Sequence, residues 1–180
     1  VVVVIVLVIA AVGFLEGVMV GLLGAIVLFV INYSRIKVVR YALSGKERSS
    51  NVERNSAEEK FLREAGGQTL ILKLEGYLFF GTAAALARRI EERLADKEQP
   101  ALRYAALDFA QVTDMDSSAA LSFMKLAQEA SQANFFLLLT GLTPTMHQRL
   151  MGSWFEDEST SYLQIMPDLD HGIEWCEERI

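Results

Sequence analysis

The first 31 residues almost entirely lack charge, since Glu16 is the only charged side chain among them. The whole chain is also poor in cysteine, proline and histidine, with 1, 3 and 2 copies respectively. Because Cys176 is alone, it cannot form an intramolecular disulfide. His147 and His171 are far apart, and neither has a cysteine or histidine at the spacing of a zinc site. The sequence therefore predicts no metal site and no cofactor.

Basic residues are outnumbered by acidic residues, with 17 Lys and Arg against 23 Asp and Glu and a formal net charge of −6. Phosphate backbones need a basic surface, so no nucleic-acid partner is predicted. Catalytic groupings are also missing. Asp114 and Asp116 are interpreted as loop and cap residues, and Cys176 as a buried small hydrophobic residue. The chain is therefore predicted not to be an enzyme, and no catalytic residue is assigned.

The apolar run Val1–Ile31 is longer than one helix needs to cross a lipid bilayer. As a single helix it would measure about 46 Å, whereas the hydrocarbon core is about 30 Å thick. One interpretation is two legs, 1–15 and 17–33, with a break near Gly13 to Gly17. The other is one long tilted helix with a glycine stripe for packing. The hairpin is favoured because Glu16 would be costly in the middle of the bilayer.

Basic residues follow the apolar run directly, at Arg35, Lys37 and Arg40. Because cytoplasmic flanks of membrane spans are enriched in such residues, the rest of the chain is predicted to be cytoplasmic. The predicted organisation is transmembrane helices over 1–40, a polar linker over 41–57 and a folded domain over 58–180.

Strand and helix signals alternate after the linker and predict an α/β fold with one mostly parallel sheet. The predicted strands are 69–74, 77–80, 104–109, 135–140 and 162–165. The predicted helices are 57–65, 82–95, 116–132, 143–151 and 168–178. Thr82 is predicted to cap its helix. The pairs Phe79-Phe80 and Phe135-Phe136 are predicted to be core.

The most specific segment runs from Leu107 to Ala119: a buried strand ending at Asp108, a loop, and Asp116-Ser117-Ser118 at a helix start. This pattern resembles the signature of STAS domains, which occur in sulfate transporters and anti-sigma factor antagonists. Ala119 replaces the usual glycine. The likeness extends over about 68–178, through the order of elements, Gly76 and the turn from Phe79 to Thr82.

The N-terminal part resembles the last membrane helices of the sulfate permease (SulP) family, especially from Gly13 to Gly17 and on to Tyr33-Ser34-Arg35. Those transporters carry a STAS domain immediately after their final span. The resemblance implies the C-terminal fragment of a bacterial SulP-type secondary transporter for sulfate, bicarbonate or a related anion. Its STAS domain would serve regulation or assembly, and the protein would be a multi-pass protein of the inner membrane.

The resemblance also implies partners and a second interpretation. The expected partners are the rest of the transporter membrane domain, the lipid bilayer, a second copy in a homodimer and a regulatory protein on the STAS domain. The alternative is a membrane-tethered phospho-switch of the anti-sigma factor antagonist type. Ser118 matches the serine phosphorylated in those antagonists, with Ser117 and Asp116 beside it. The competing interpretation is that Asp116 and Ser117 cap the helix while Ser118 packs near the strand ends.

A second candidate site is predicted at the same edge of the sheet. Thr82 opens one helix, Thr140 ends another strand, and Gly141 follows it. Because the carboxyl ends of parallel strands meet at one edge, these residues are predicted to line a small anion or nucleotide site. The chain contains no glycine-rich phosphate loop to support that prediction.

Overall fold

The computed structural model describes residues 6, 9–11, 13–34, 39–152 and 161–180 of the chain. The chain divides into two compact units, Val1–Ile36 and Lys37–Ile180. Most of the first predicted leg and the basic residues Arg35 and Lys37 lie outside the described residues.

The N-terminal unit contains helix α1 (Phe14–Ser34), which begins after a break at Gly13, where φ is +152°. A Cβ atom on Gly17 would collide with the side chain of Ile9. In a straight helix these two residues would be about 12 Å apart along the axis. The chain therefore bends back at Gly13, as the two-leg interpretation requires, and the single straight helix is wrong for this segment.

Glu16 lies in the first turn of α1, where a negative charge favourably meets the positive end of the helix dipole. Within the described parts of the chain, no helix qualifies by length and hydropathy as a candidate membrane span. The transmembrane assignment of 1–40 stays a prediction.

The second unit is a sheet with helices on both faces. In chain order its elements are β1 (Val39–Ser44), α2 (Ser56–Ala65), a 3-10 turn (Gly66–Gln68), β2 (Thr69–Leu78), α3 (Phe80–Ala95), β3 (Tyr104–Met115), α4 (Ser117–Ala133), β4 (Phe136–Thr140), α5 (Pro144–Met151), β5 (Leu163–Met166) and α6 (Leu169–Glu177). The described strands form one sheet in the order β1-β2-β3-β4-β5. β1 is antiparallel to β2 and the other pairs are parallel. The predicted single, mostly parallel sheet is confirmed.

Two apolar cores lie on opposite faces of the sheet because successive strand residues point to opposite sides. Leu137 and Leu139 of β4 belong to the larger core, together with apolar side chains of α3, α4 and α5. Leu138 belongs to the smaller core, together with Ile173 and Cys176 of α6. This alternation explains the nearly continuous apolar sequence of β4, since both faces of a parallel strand are covered.

The predicted linker is wrong in its first part. Residues 41–44 belong to β1, where Ala42 pairs with Leu72 and Leu43 with Ile71. The predicted transmembrane boundary at residue 40 also falls inside this strand. β1 is an edge strand without a buried residue, and its short alternation of Val39, Tyr41 and Leu43 follows so closely on the apolar N-terminal run that it is not distinguished from the end of that run.

The two strands predicted at 69–74 and 77–80 are one strand, β2. Gly76 has φ of +81°, and the pairing of β2 with β3 shifts register on both sides of it. A glycine at such a position permits a bulge that bends a strand without ending it. β3 likewise continues to Met115, beyond the predicted end at residue 109, because its second half pairs with this bulged part of β2.

One core prediction is also wrong. Phe135 is fully buried, but Phe80 is 62% exposed at the first position of α3. The predicted helices 57–65 and 143–151 are confirmed to within one residue at each end. α2 begins with a capping box at Asn55, and Thr143 caps α5 ahead of Pro144, as the preferences for helix starts indicate.

Candidate functional site

The Asp116-Ser117-Ser118 motif lies at the carboxyl edge of the sheet, where β3 ends and α4 begins. The Asp116 carboxylate accepts a hydrogen bond from the backbone N–H of Ala119 at 2.7 Å, which satisfies one free donor of the helix start. The backbone N–H of Asp116 donates to the carbonyl oxygen of Leu78 at 3.0 Å. The predicted cap is therefore confirmed for Asp116, whereas Ser117 is the first residue of the helix. The backbone bond of Asp116 also ties the start of α4 to the end of β2.

Ser117 and Ser118 are both exposed in the first turn of α4. The expectation that Ser118 packs near the strand ends is wrong. The register of β3 places Met115 inward as the last core residue, and the helix then directs Ala119 and Ala120 to the core instead. A negative charge added to Ser118 would meet water and the positive end of a helix dipole. The assignment of Ser118, Ser117 and Asp116 as a phospho-switch stays a prediction.

Apolar side chains are exposed on the elements that meet at this edge. Tyr77 near the end of β2, Phe80 at the start of α3 and Leu121 in α4 are 46%, 62% and 48% exposed. The end of β2 lies beside the end of β3, since Tyr77 pairs with Asp114 and Leu78 with Met115. A protein partner would find apolar contact area and two exposed hydroxyls at the same edge.

The second predicted site presents buried hydroxyls. Thr82 is not the N-cap residue. Phe79 occupies that position, and the Thr82 hydroxyl donates to the Phe79 carbonyl at 2.7 Å and accepts from the Phe79 N–H. The Thr140 hydroxyl is buried and donates to the Leu107 carbonyl at 3.4 Å. The anion or nucleotide site at Thr82, Thr140 and Gly141 stays a prediction, and the burial of both hydroxyls argues against it.

Gly141 has a structural reason to be glycine. Its φ is +69°, and a Cβ atom there would lie 3.0 Å from the backbone nitrogen of Ala110. The chain after β4 therefore passes close to the backbone of β3. Asp108 lies beside this approach and is buried, and its carboxylate accepts the N–H of Ala110 at 3.1 Å. Asp108 thus shapes the edge and presents little surface to a ligand.

The remaining side chains of reactive types, Cys176 and His171, make contacts that belong to the fold. Burial raises the pKa of the Cys176 thiol to about 12, with the Glu177 carboxylate as a second cause, so this thiol is inert at neutral pH. The exposed His171 ring contacts the Asp168 carboxylate at 2.9 Å, and this hydrogen bond raises the pKa of the imidazole. Within the described residues no group of three or more His, Cys, Asp or Glu side chains is arranged to hold a metal ion.

Sequence reasoning missed a second polar region, between the β1–α2 connection and the last helix. Glu177 of α6 accepts hydrogen bonds from the backbone N–H and the hydroxyl of Ser50, at 2.9 and 2.5 Å, and pairs with Arg54 at 3.1 Å. Asp170 accepts from the N–H of Asn51 at 3.0 Å. No sequence signal links these groups, because they lie more than a hundred residues apart in the chain.

The sequence matches a known domain family and two curated transporters. A model of the STAS domain matches residues 61–169. The vacuolar basic amino acid transporter VSB1 of Saccharomyces cerevisiae is 27% identical over 170 residues, covering 91% of this chain and 16% of that protein. Sulfate transporter 1.1 of Arabidopsis thaliana is 24% identical over 147 residues, covering 76% of this chain and 22% of that protein. The chain thus spans less than a quarter of either relative.

Solved structures share the fold. Murine Slc26a9, an anion transporter in the inward-facing state, gives a TM-score of 0.60 at 15% identity, covering 92% of this chain and 26% of that chain. RsbS of Moorella thermoacetica gives a TM-score of 0.51 at 12% identity, covering 62% of this chain and 90% of that chain. Identities this low are informative about the fold alone. The family match covers more than half of the sequence and agrees with the sheet, the helix order and the capped Asp116-Ser117-Ser118 turn, and the chain belongs to the STAS domain family.

Proposed function

We infer that this chain is the C-terminal part of a SulP-type secondary anion transporter. Its N-terminal unit would be the end of the membrane domain, and its STAS domain would serve regulation or assembly. The observation that carries this proposal is the extent of the similarity to transporters. The alignment with the yeast transporter covers 91% of the chain, whereas the STAS model accounts for residues 61–169. The likeness therefore includes sequence that precedes the STAS match.

The side chains of α1 support a membrane location for the N-terminal unit. Large apolar residues are exposed along it, among them Phe14, Leu15, Leu22, Leu23 and Val27. An exposed surface of this kind is favourable in lipid and unfavourable in water. With Arg35, Lys37 and Arg40 on its C-terminal flank, the positive-inside rule supports a cytoplasmic STAS domain. The bacterial inner membrane is the location that we propose for the whole protein.

The names of the two curated relatives give different substrates, basic amino acids and sulfate. Because the substrate sites of such transporters lie among membrane helices, we assign no substrate residue in this chain. Sulfate, bicarbonate or a related anion is the proposed substrate class. The rest of the membrane domain, the lipid bilayer, a second copy and a regulatory protein are the proposed partners. No enzymatic activity is proposed.

The test of this proposal is the gene that encodes the chain. We expect the upstream coding sequence to contain about a dozen further apolar spans, and cells that express the complete product to take up labelled sulfate or bicarbonate above a vector control. Deletion of the codons for residues 39–180 should lower that uptake or the amount of transporter in the membrane. A coding sequence without further spans would contradict the proposal.

A phospho-switch is the second candidate function, and the exposure of Ser118 favours it. The hydroxyl is accessible to a kinase, the added charge suits the helix start, and apolar side chains lie at the same edge. Intact-mass measurement of the protein isolated from its own cells tests this candidate. A mass increase of one phosphate that is lost in Ser118→Ala would support it, whereas unmodified protein under all growth conditions would argue against it.

A further inference from the structure

The connection between β1 and α2, residues 45–55, is attached to the C-terminal helix by polar bonds. Ser50 donates its backbone N–H and its hydroxyl to the Glu177 carboxylate, at 2.9 and 2.5 Å. Asn51 donates its backbone N–H to the Asp170 carboxylate at 3.0 Å. The connection therefore depends on a few hydrogen bonds whose acceptors are carboxylates of α6.

Both ends of this connection are anchored independently of those bonds. Gly45 donates its backbone N–H to the carbonyl oxygen of Thr69 at 3.1 Å, and Asn55 caps α2. The only large apolar side chain between the two ends is Val52, which is 40% exposed. Segments with little apolar burial open locally. Loss of the bonds to α6 would therefore free residues 46–54 and leave the sheet and α2 in place.

The charges at the contact of Ser50 with Glu177 are balanced only while Ser50 is neutral. The Glu177 side chain is 7% exposed and pairs with Arg54 at 3.1 Å. Within the described residues, Arg54 is the one cation that forms an ion pair with this carboxylate. A phosphate on Ser50 would remove the proton that the hydroxyl donates, and the contact would then hold about three negative charges against one positive charge. Such an excess of charge is costly where little water screens it.

The chain before Ser50 is suited to recognition by a protein kinase. Lys46, Arg48 and Ser49 are exposed, and Ser50 itself is half-buried. Charge patterns beside the modified residue are a common means by which kinases select their substrates. Local opening of residues 46–54 would give the kinase access to the Ser50 hydroxyl as part of an extended segment.

We propose that Ser50 is a phosphorylation site and that its modification releases residues 46–54 from α6. In this reaction the Ser50 Oγ atom forms a bond to the γ-phosphorus of ATP. The bond from that phosphorus to the β–γ bridging oxygen breaks, ADP leaves, and the hydroxyl proton passes to a carboxylate of the kinase. Release exposes Glu177 and Arg54, so the two forms of the chain present different charges to a partner. The site is separate from Ser118, and it does not depend on the proposed transport function.

Hydrogen exchange of the full chain in nanodiscs measures the release. Phosphoserine is incorporated at position 50 during translation by a suppressor tRNA, so the effect of the phosphate is tested without the kinase. The backbone N–H groups of Ser50 and Asn51 donate to carboxylates of α6. We expect them to exchange at least about tenfold faster in the modified chain, because these bonds are lost on opening. Phosphoserine at the exposed position 49 is the matched control and should change the rates less than about twofold.

Two variants test whether charge repulsion causes the release. Glu177→Gln keeps an accepting oxygen and removes the negative charge, so phosphorylation of Ser50 should accelerate exchange less in this variant than in the parent. Ser50→Ala removes one hydrogen bond without adding charge, and it should accelerate exchange less than phosphorylation does. Circular dichroism checks that both variants are folded. Equal exchange in the modified and unmodified parent chains, or an equal effect of the phosphate in the parent and in Glu177→Gln, would overturn the proposal.

Peptide mapping of the complete protein from its own cells tests whether the modification occurs. Trypsin cleaves after Arg48 and Arg54, so one peptide contains both Ser49 and Ser50, and its fragment masses distinguish the two serines. We expect a phosphate on Ser50 in part of the protein. A phosphate on Ser49 or Ser118 alone, or an unmodified peptide under all growth conditions, would overturn the proposal.

Discussion

The carboxylate of Asp116 and the backbone N–H of Ala119 are joined by a 2.7 Å hydrogen bond that fixes the start of α4. Ala119 is fully buried at this point, so the cap also sets which side of the helix faces the core. We expect Asp116→Ala to lower the free energy of unfolding by about 1 kcal/mol. Urea unfolding of residues 39–180 measures it, and Asp116→Asn, which keeps an accepting oxygen, should cost less. Equal losses in the two variants would mean that the lost capping bond is not the cause of the destabilisation.

Ser118→Glu should be nearly neutral for stability. Ser118 is exposed in the first turn of α4, where a negative charge interacts favourably with the helix dipole. We expect the free energy of unfolding to change by less than about 0.5 kcal/mol. Gln132→Glu, at an exposed position in the last turn of the same helix, is the control and should cost more because the end of the dipole there is negative. A large loss from Ser118→Glu would restore the interpretation that Ser118 packs against the strand ends.

Glu177 should contribute strongly to stability, and its neighbour Glu178 should not. Glu177 and Arg54 are 7% and 19% exposed in their ion pair, whereas Glu178 and Arg179 are 57% and 43% exposed in theirs. Removal of one partner of a buried pair leaves the other charge without compensation, so Glu177→Ala should cost about 3 kcal/mol. Glu178→Ala should cost less than about 1 kcal/mol. Similar losses in thermal or urea unfolding of the two variants would contradict the conclusion that the contact of Glu177 with Arg54 stabilises the fold.

The folding unit should begin at β1 and not at the linker boundary that the sequence predicts. β1 covers the edge of β2 by pairing Ala42 with Leu72 and Leu43 with Ile71. A piece that spans 58–180 lacks β1 and residues 45–55. The edge of the apolar strand β2 is then exposed, which promotes aggregation. We expect residues 39–180 to be monodisperse and to unfold in one transition, and residues 58–180 to aggregate or melt at a lower temperature. Equal behaviour in size-exclusion and calorimetric experiments would show that β1 is dispensable.

The helix starts and the buried strands were predictable because their signals are local. Asp116, and Thr143 with Pro144, identify helix starts within a few residues, and β4 is recognisable from an apolar run that is buried on both faces. β1 is not recognised because its short alternation of Val39, Tyr41 and Leu43 lies directly after the apolar N-terminal run and its basic flank. The single β2 was divided in two because a bulged glycine and a turn glycine look alike in sequence.

The candidate site at the start of α4 could be predicted only in part, because some of its features depend on how distant segments pack together. The cap by Asp116 follows from its position before a helix, whereas the exposure of Ser118 depends on how α4 lies on the sheet. Thr82 looked like a cap because a hydroxyl residue near a helix start is a common signal, but the helix begins two residues earlier. The contacts of Glu177 with Ser50 and Arg54 join distant segments, and no local pattern encodes such a contact.

Reporter fusions after Ile180 test the central proposal most directly, namely that the STAS domain is cytoplasmic and that residues 1–40 link it to a membrane. The account predicts that a green fluorescent protein fusion is fluorescent, that an alkaline phosphatase fusion is inactive, and that both remain in the membrane fraction after alkaline washing. An active phosphatase fusion would contradict the orientation that Arg35, Lys37 and Arg40 indicate. Release of both fusions into the soluble fraction would contradict the membrane assignment of residues 1–40.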